Sequence, residues 1–358
     1  MKIIAPVSNV KETEEIIRAG ADEIYCGVIP DTWIEKYPVI ISPNKRASRS
    51  LANLRSFDDL AKVVSTAHYY NVPVRLALNA FYSQKQRGLI YEQIEHAIKS
   101  KVDALIVSDL GLLRFLKREG ISLDIHLSTA GTTFNSQAVK FYSDLGVSNI
   151  VLPRYLSVDE IQKIAEDFYS FKFEIIILGS GCKNIDGFCM FFHGINEISQ
   201  KMSWRLASKL NLYYHFTNLI KKLPKEWFQR MTAGISDKSD ACLLKYKVSS
   251  PSHFVNNRIK RFILGNIKKS INDFSHCDAC GACRLLEFYR AGVHGVKMAG
   301  RTYPTVRKVR DVLFLKTLLY AIENRGFEKK EFYQHTREVF HDIYKSDCFG
   351  LCYYPDGM

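Results

Sequence analysis

The hydrophobic pattern of the first 178 residues alternates between short apolar runs and longer amphipathic stretches. The apolar runs hold Val, Ile and Leu almost without interruption, as at 104–107 and 173–178, which is typical of strands buried on both faces. The stretches between them space their apolar residues at helical intervals, as at 57–70 and 157–168. This alternation predicts parallel strands joined by right-handed crossover helices.

The pattern predicts eight strands. Seven runs precede residue 180, and an eighth lies at 293–298. The seven are residues 3–5, 23–26, 72–78, 104–107, 125–127, 149–152 and 173–178. We therefore expect an α/β protein with a TIM-like (β/α)8 barrel, and an open doubly wound sheet is the alternative.

The alternation of predicted strands and helices stops after residue 182, which predicts four parts in the chain. Residues 1–182 would form the first seven β/α units, and 183–276 a basic, aromatic-rich helical insertion. Residues 277–303 would hold a cysteine cluster and the last barrel strand. Residues 304–358 would form C-terminal helices and a cysteine-bearing tail.

The net charge of +13 is concentrated in one segment. Residues 201–270 hold 15 Lys and Arg but only three acids, whereas the other residues hold 35 basic and 34 acidic side chains. Trp, Tyr and Phe are interleaved with these basic residues. Basic groups neutralise phosphates and aromatic rings stack on unpaired bases, so the segment favours RNA as a partner. A helical insertion with a solvated basic face is the alternative.

The chain has nine cysteines, and all but Cys26 follow residue 180. It lacks an apolar run of about 18 residues, so no membrane span is expected, and its start is too short an apolar run for a secretion signal. We therefore expect a cytoplasmic protein, where structural disulfides are rare and clustered cysteines are read as metal ligands. The predicted ligands are Cys182, Cys189, Cys242, Cys277, Cys280, Cys283, Cys348 and Cys352. Scattered buried thiols are the alternative, and they explain Cys26 better than the cluster.

Polar side chains follow several of the predicted strands. Barrel active sites lie at the carboxyl ends of the strands, where Asn79, Asp109, His126 and Arg154 are placed. His126 has a side chain suited to proton transfer at an unperturbed pKa. We predict Asn79, Asp109 and His126 as catalytic residues. A helix cap is the alternative role of Asp109, and hydrogen bonding within the core is the alternative role of His126.

Several stretches resemble the collagenase-like peptidases of family U32. They include Ala5-Pro6-Val7-Ser8-Asn9, Ala21-Asp22-Glu23-Ile24-Tyr25-Cys26-Gly27, Arg154-Tyr155-Leu156-Ser157, Cys182-x6-Cys189 and Lys297-x-x-Gly300-Arg301. The resemblance extends over nearly the whole chain. Tyr155 and Ala299 stand where the family pattern has Glu, and a Gly-Arg-Ser-Ala-Asn motif of the family is not recognisable.

The resemblance implies a barrel with an oxygen-sensitive [4Fe-4S] cluster on four cysteines. Family members of this type resemble proteins that hydroxylate without O2, in ubiquinone synthesis or on tRNA and ribosomal RNA, with prephenate implicated as oxygen donor. Arg49, Arg154 and Arg301 would then bind a carboxylate-bearing donor through bidentate contacts. A homologous or redox partner protein is also expected.

The sequence leaves the cysteine grouping open. Family order would place Cys182, Cys189, Cys242 and Cys280 in one site and the other four in a second. Local spacing instead groups Cys277, Cys280 and Cys283 with one tail cysteine. Zinc is the structural alternative to either cluster.

Two other functions remain as alternatives. One is a non-catalytic iron–sulfur protein that binds RNA or pairs with a partner subunit. The other is a peptidase, which is disfavoured because the sequence has no His-Glu-x-x-His motif and no recognisable nucleophile motif.

Overall fold

Eight parallel strands close into a barrel in the computed structural model, which describes residues 1–37, 42–46, 49–180, 186–187, 278–348 and 352–354. In chain order the strands are β1 (Lys2–Pro6), β2 (Glu23–Cys26), β3 (Val74–Leu78), β4 (Ala104–Val107), β5 (Asp124–Leu127), β6 (Asn149–Val151), β7 (Lys172–Ser180), β8 (Asp278–Cys280) and β9 (Gly295–Met298). All except β8 belong to the barrel.

The strand order closes the sheet on itself. β1 to β7 pair in sequence, β9 lies between β7 and β1, and all these pairings are parallel. The short β8 pairs antiparallel with the end of β7, outside the ring. The predicted barrel is therefore confirmed, and the open sheet is excluded because β7 has a partner on both sides.

Helices follow the barrel strands and pack on their outer surface. They are α1 (Thr13–Arg18), α2 (Asp31–Lys36), α3 (Arg49–Ala52), α4 (Phe57–Tyr69), α5 (Arg87–Lys99), α6 (Leu110–Arg118), α7 (Ser136–Asp144), α8 (Val158–Asp167), α9 (Leu285–Arg290), α10 (Thr305–Asn324) and α11 (Lys329–Tyr344). Ser56, Asp109, Asn135 and Ser157 cap the starts of α4, α6, α7 and α8 with a side-chain oxygen. The short α2 and α3 were not predicted.

The apolar core lies between the barrel and this helical layer. Strand residues such as Ile3 and Leu76 pack in one cluster with helix residues such as Leu60 and Phe314, all of them fully buried. Among the described residues, no helix combines the length and the hydropathy that crossing a membrane requires. Most of the predicted insertion at 183–276 lies outside the described residues, so the four-part division stays a prediction.

Candidate active site and cysteine group

A cavity of about 170 Å³ opens at the carboxyl ends of the barrel strands. Its lining residues are Tyr25, Asn44, Lys45, Arg46, Ala77, Asn79, Ile106, Ser128, Thr129, Ala130, Val151, Arg154, Ile176, Asp186, Gly187, Lys297, Met298, Ala299 and Arg301. Five of these are Lys or Arg, and among the described lining residues only Asp186 is acidic. The cavity is therefore cationic, which suits an anionic ligand.

Arg301 is buried at the cavity against uncharged partners. Its guanidinium donates to Asn53 Oδ1 at 3.1 Å, to Asn44 Oδ1 at 2.9 Å and to the Asn44 carbonyl at 3.1 Å. Burial lowers its pKa to about 10. A Cβ at Gly27 would overlap this guanidinium, so glycine is needed there. No carboxylate of the described residues neutralises Arg301, and the positive charge is available to a ligand.

Arg154 also lines the cavity and is paired. Its Nη2 is 2.5 Å from Asp186 Oδ1, and its Nε donates to Asp186 Oδ2 at 3.0 Å. The backbone N–H of Arg154 donates to the same Oδ2 at 2.9 Å. This bidentate pair fixes the guanidinium in one orientation at the rim.

Lys297 projects from β9 beside the ring of Tyr25. Its Nζ is 4.3 Å from the centre of that ring and 4.0 Å from Glu174 Oε2. It has no hydrogen-bond partner among the described residues. Burial, opposed by the nearby Glu174 carboxylate and reinforced by Arg75, lowers its pKa to about 8.

A layer of charged residues lies in the barrel interior beneath the cavity. Arg75 makes ion pairs with both Glu174 and Glu23, and Asn149 Nδ2 donates to Glu174 Oε1 at 2.7 Å. Burial alone would raise the pKa of Glu174, but Arg75 and Lys297 lower it to about 2. The carboxylate thus stays ionised and balances the surrounding cations.

The predicted catalytic residues lie in three different surroundings. Asn79 lines the cavity, donates to Ser128 Oγ at 3.1 Å and leaves its Oδ1 without a hydrogen-bond partner among the described residues. His126 lies in the charged interior layer, with Nδ1 3.7 Å from Glu174. Asp109 accepts from Leu112 N at 2.7 Å and from Tyr82 N at 3.2 Å, outside the cavity lining.

These surroundings change the physical basis of two predictions. Burial first, and Arg75 second, lower the pKa of His126 to about 3, so the unperturbed pKa on which its proton-transfer role depended is absent. Asp109 has the alternative role given above, that of a helix cap. Their catalytic roles stay predictions.

The three predicted donor-binding arginines are not all at the cavity. Arg154 and Arg301 line it, whereas Arg49 does not. Arg49 pairs with Asp31 at 2.8 Å and donates to the carbonyls of Ile29 and Arg55. Within this part of the fold Arg49 joins α3 to the loop after β2.

Four cysteines lie together at the edge of the barrel, and they are Cys280, Cys283, Cys348 and Cys352. Cys280 and Cys352 form a backbone bridge, and Tyr353 N donates to the Cys280 carbonyl at 3.1 Å. All four are free thiols. Burial, reinforced by the neighbouring thiols Cys352 and Cys348, raises the pKa of Cys283 to about 12.

The described side chains contain no group of three that could hold a single metal ion. Cys280, Cys283, Cys348 and Cys352 are a set of four thiol donors, which both a four-iron cluster and a zinc ion use. The cluster and the zinc ion therefore both stay predictions. Cys182, Cys189, Cys242 and Cys277 lie outside the described residues.

The tail is anchored beside this cysteine group. Tyr354 is buried, and its hydroxyl donates to the Ile176 carbonyl at 3.2 Å. The Tyr353 hydroxyl donates to the Gly179 carbonyl at 2.9 Å, and Arg284 Nε to the Tyr354 carbonyl at 3.4 Å. Protein contacts thus hold residues 352–354 against β7.

Sequence reasoning missed several residues of this site. The sequence places Lys297 and Tyr25 only within family motifs, and no sequence pattern predicts a role for Lys45 or Arg46. The missed signal was a charged residue inside an apolar strand run, as with Arg75 in β3 and Glu174 in β7. Such a residue in a barrel strand must be paired or functional, because an unpaired buried charge is costly.

The fold and the cavity define an α/β-barrel protein with a cationic cavity at the carboxyl ends of its strands. The chain belongs to peptidase family U32, whose model matches residues 8–352. It is similar to tRNA hydroxylation protein P of Haemophilus influenzae, with 28% identity over 55% of this chain and 39% of that protein. The corresponding Escherichia coli protein is 21% identical over 98% of this chain and 77% of its own length.

A third relative is the 23S rRNA 5-hydroxycytidine C2501 synthase of Escherichia coli, which is 28% identical over 54% of this chain and 26% of that protein. The chain thus spans between about a quarter and three quarters of the length of these three relatives.

Proposed function

We propose that this chain hydroxylates a base of RNA, using a small carboxylate-bearing molecule such as prephenate as oxygen donor. The observation that carries the proposal is the cationic cavity, in which the buried Arg301 has no acidic partner among the described residues. Relatives named for tRNA hydroxylation and for 5-hydroxycytidine synthesis support RNA as the substrate class.

The donor would bind between the arginines of the cavity. Arg301 is held by Asn44 and Asn53 with its charge unneutralised, so a carboxylate gains a charge-assisted hydrogen bond there. Arg154, which also lines the cavity, is kept in position by Asp186. Asn79, with an unpaired Oδ1, can accept from a hydroxyl group of the donor or the base.

The rim of the cavity supports RNA as the second ligand. Lys45 Nζ lies 5.1 Å from the ring centre of Phe81, and Phe81 is half exposed. Tyr155, next to Arg154, is also half exposed. Exposed aromatic rings beside basic groups can stack on an unpaired base while the cations contact phosphate. The basic segment 201–270 lies outside the described residues, and its composition alone favours RNA as a partner.

An iron–sulfur cluster would be held by Cys280, Cys283, Cys348 and Cys352. Burial raises the pKa of the Cys280, Cys283 and Cys352 thiols, so positively charged iron is needed to keep them as thiolates. When bound, such a cluster supplies electron transfer or an open iron for ligand binding. The remaining four cysteines are proposed as ligands of a second cluster.

Nucleoside analysis of RNA after reaction tests the function. Anaerobically prepared protein is incubated with RNA and prephenate, and the digested nucleosides are measured by mass spectrometry. We expect a nucleoside with one added oxygen, formed only when prephenate is present. RNA binding that weakens steeply with salt, but without any added oxygen, would contradict the enzyme and favour a non-catalytic RNA-binding protein.

A conservative variant tests the donor site within this assay. Arg301→Lys keeps the charge but removes the guanidinium fork, so we expect the Michaelis constant for the donor to rise about tenfold. The matched control is Arg290→Lys on the exposed face of α9, which should leave it unchanged. Equal behaviour of the two variants would place the donor elsewhere.

A further inference from the structure

Among the described residues, Lys297 of β9 differs from Lys308 of α10, which is also buried. Lys308 is fully buried, but its Nζ donates to Glu12 Oε1 at 2.8 Å and to Ser8 Oγ at 3.1 Å. Lys297 is 8% exposed, lines the cavity and has no hydrogen-bond partner among the described residues. Its ion pair with Glu174 is long, at 4.0 Å, so an ammonium without a hydrogen-bond partner is costly in this position.

We propose that the Lys297 amine forms an imine with the carbonyl group of a small 2-oxo carboxylate whose carboxylate binds Arg301. The inference rests on the proposed function in that both use the same cavity for the donor. It goes further by assigning a covalent role to a residue of β9 and a carbonyl group to the ligand.

The surroundings of Lys297 favour its neutral, nucleophilic form. The Tyr25 ring covers the Nζ on one side, and burial is the main cause that brings its pKa to about 8. The charged groups around it are Glu174 of β7, Arg75 of β3, Glu23 of β2 and Arg301. A desolvated lysine beside other cations is the usual setting of amines that attack carbonyl carbon.

The backbone between Lys297 and Arg301 brings both side chains to one cavity. Gly300 has φ +110, a conformation that favours glycine, and it turns the chain after β9. A Cβ at Gly300 would also overlap the ring of Tyr303. The turn therefore places an amine and a carboxylate-binding guanidinium four residues apart on the same ligand site.

The chemical step is balanced without a further reactant. The nitrogen lone pair of neutral Lys297 attacks the carbonyl carbon, and the carbon–oxygen double bond becomes a carbinolamine hydroxyl. One amine proton forms that hydroxyl, the hydroxyl leaves as water with the second amine proton, and a carbon–nitrogen double bond remains. No electrons are gained or lost, so the step is independent of any metal cluster.

Reductive trapping tests the proposal on the full chain. The protein is incubated with pyruvate, the simplest 2-oxo carboxylate, and then treated with borohydride. We expect intact-mass analysis to show one added carboxyethyl group and peptide mapping to place it on Lys297. Lys297→Arg should remove the adduct, and Lys308 should stay unlabelled in every sample. Labelling that persists in Lys297→Arg would overturn the proposal.

A neutral carbonyl probe tests the role of Arg301. Acetone has the same reactive group as pyruvate but no carboxylate, so the wild-type protein should need a higher concentration of acetone for half labelling. Arg301→Lys should raise the pyruvate concentration needed by about tenfold and leave acetone labelling unchanged. Equal labelling by both probes in the wild-type protein would contradict carboxylate recognition.

The outcome is separable from that of the proposed function. A trapped adduct without any RNA hydroxylation would contradict the proposed function and leave the imine chemistry in place. RNA hydroxylation that is retained in Lys297→Arg, with no trapped adduct in the wild type, would overturn the inference alone.

Discussion

His126 shows how burial determines the chemistry of one side chain. It lies in the barrel interior beside Arg75 and Glu174, and burial is the main reason that its pKa falls to about 3. The imidazole is therefore neutral at physiological pH, whereas its sequence position at a strand end suggested a group that titrates near neutrality. The pKa of His126 therefore depends on contacts with β3 and β7, which are distant from His126 in the sequence.

This shift predicts a pH dependence of stability. As the pH falls below 6.5, the unfolded chain protonates His126, whereas the folded protein does so only near 3. The unfolded state binds more protons in that interval, so acid lowers the free energy of unfolding by about 1.4 kcal/mol per pH unit from this group. His126→Gln should remove that slope in urea unfolding between pH 6.5 and 5.5, which lies above the ordinary pKa of 4.5 of Glu174 in the unfolded chain.

An exposed histidine provides the comparison for this measurement. His341 on α11 is exposed to solvent, so His341→Gln should leave the slope of the wild-type protein in place. A slope that is the same in His126→Gln and in the wild type would show that His126 is accessible to protons in the folded state.

At the scale of elements, the contact between β8 and the tail depends on one glycine. A Cβ on Gly281 would lie 2.8 Å from Tyr354 Cδ2 and 2.9 Å from Ile177 Cδ1. Gly281→Ala should therefore displace Tyr354 and the adjoining Cys352, and lower the free energy of unfolding by about 1–3 kcal/mol. Denaturant unfolding measures this loss, and limited proteolysis should show faster cleavage of the tail.

A second glycine provides a control with the opposite sign. Gly88 lies in the first turn of α5, and no atom is within 4 Å of a Cβ built there. Gly88→Ala should therefore raise the free energy of unfolding by about 0.5–1 kcal/mol, because alanine loses less backbone entropy in a helix. Destabilisation by both substitutions would mean that backbone freedom, rather than the space beside Tyr354, determines the effect of Gly281→Ala.

The sequence predicted the elements better than it predicted the site. Apolar runs and helical spacing are local properties, so the eight barrel strands and the longer helices follow from them. The cavity instead joins Tyr25, Asn79, Arg154 and Lys297, which come together only because β2, β3, β6 and β9 surround one axis. The direction of each side chain and the residues that it contacts depend on barrel closure. A local sequence pattern cannot predict them.

At the scale of the whole molecule, both ends of the described barrel are joined through a buried ion pair. Glu12 follows β1, and it accepts from Ser8 N and Ser8 Oγ as well as from Lys308 of α10. Its second oxygen accepts from Thr305 Oγ1 at 3.0 Å. Since β1 also pairs with β9, the same junction holds the last strand, the helix after it and the start of the chain together.

Breaking this junction should destabilise the closed barrel as a unit. Lys308→Met leaves the Glu12 carboxylate buried without its cation, so we expect a loss of about 3–5 kcal/mol in the free energy of unfolding. Lys163→Met removes the exposed Lys163–Asp167 pair on α8 and should leave stability unchanged within error. Adding Glu12→Gln to Lys308→Met should recover much of the loss, because the buried negative charge is then gone. If the double variant is as unstable as the single one, packing of the Lys308 stem rather than its charge closes the barrel.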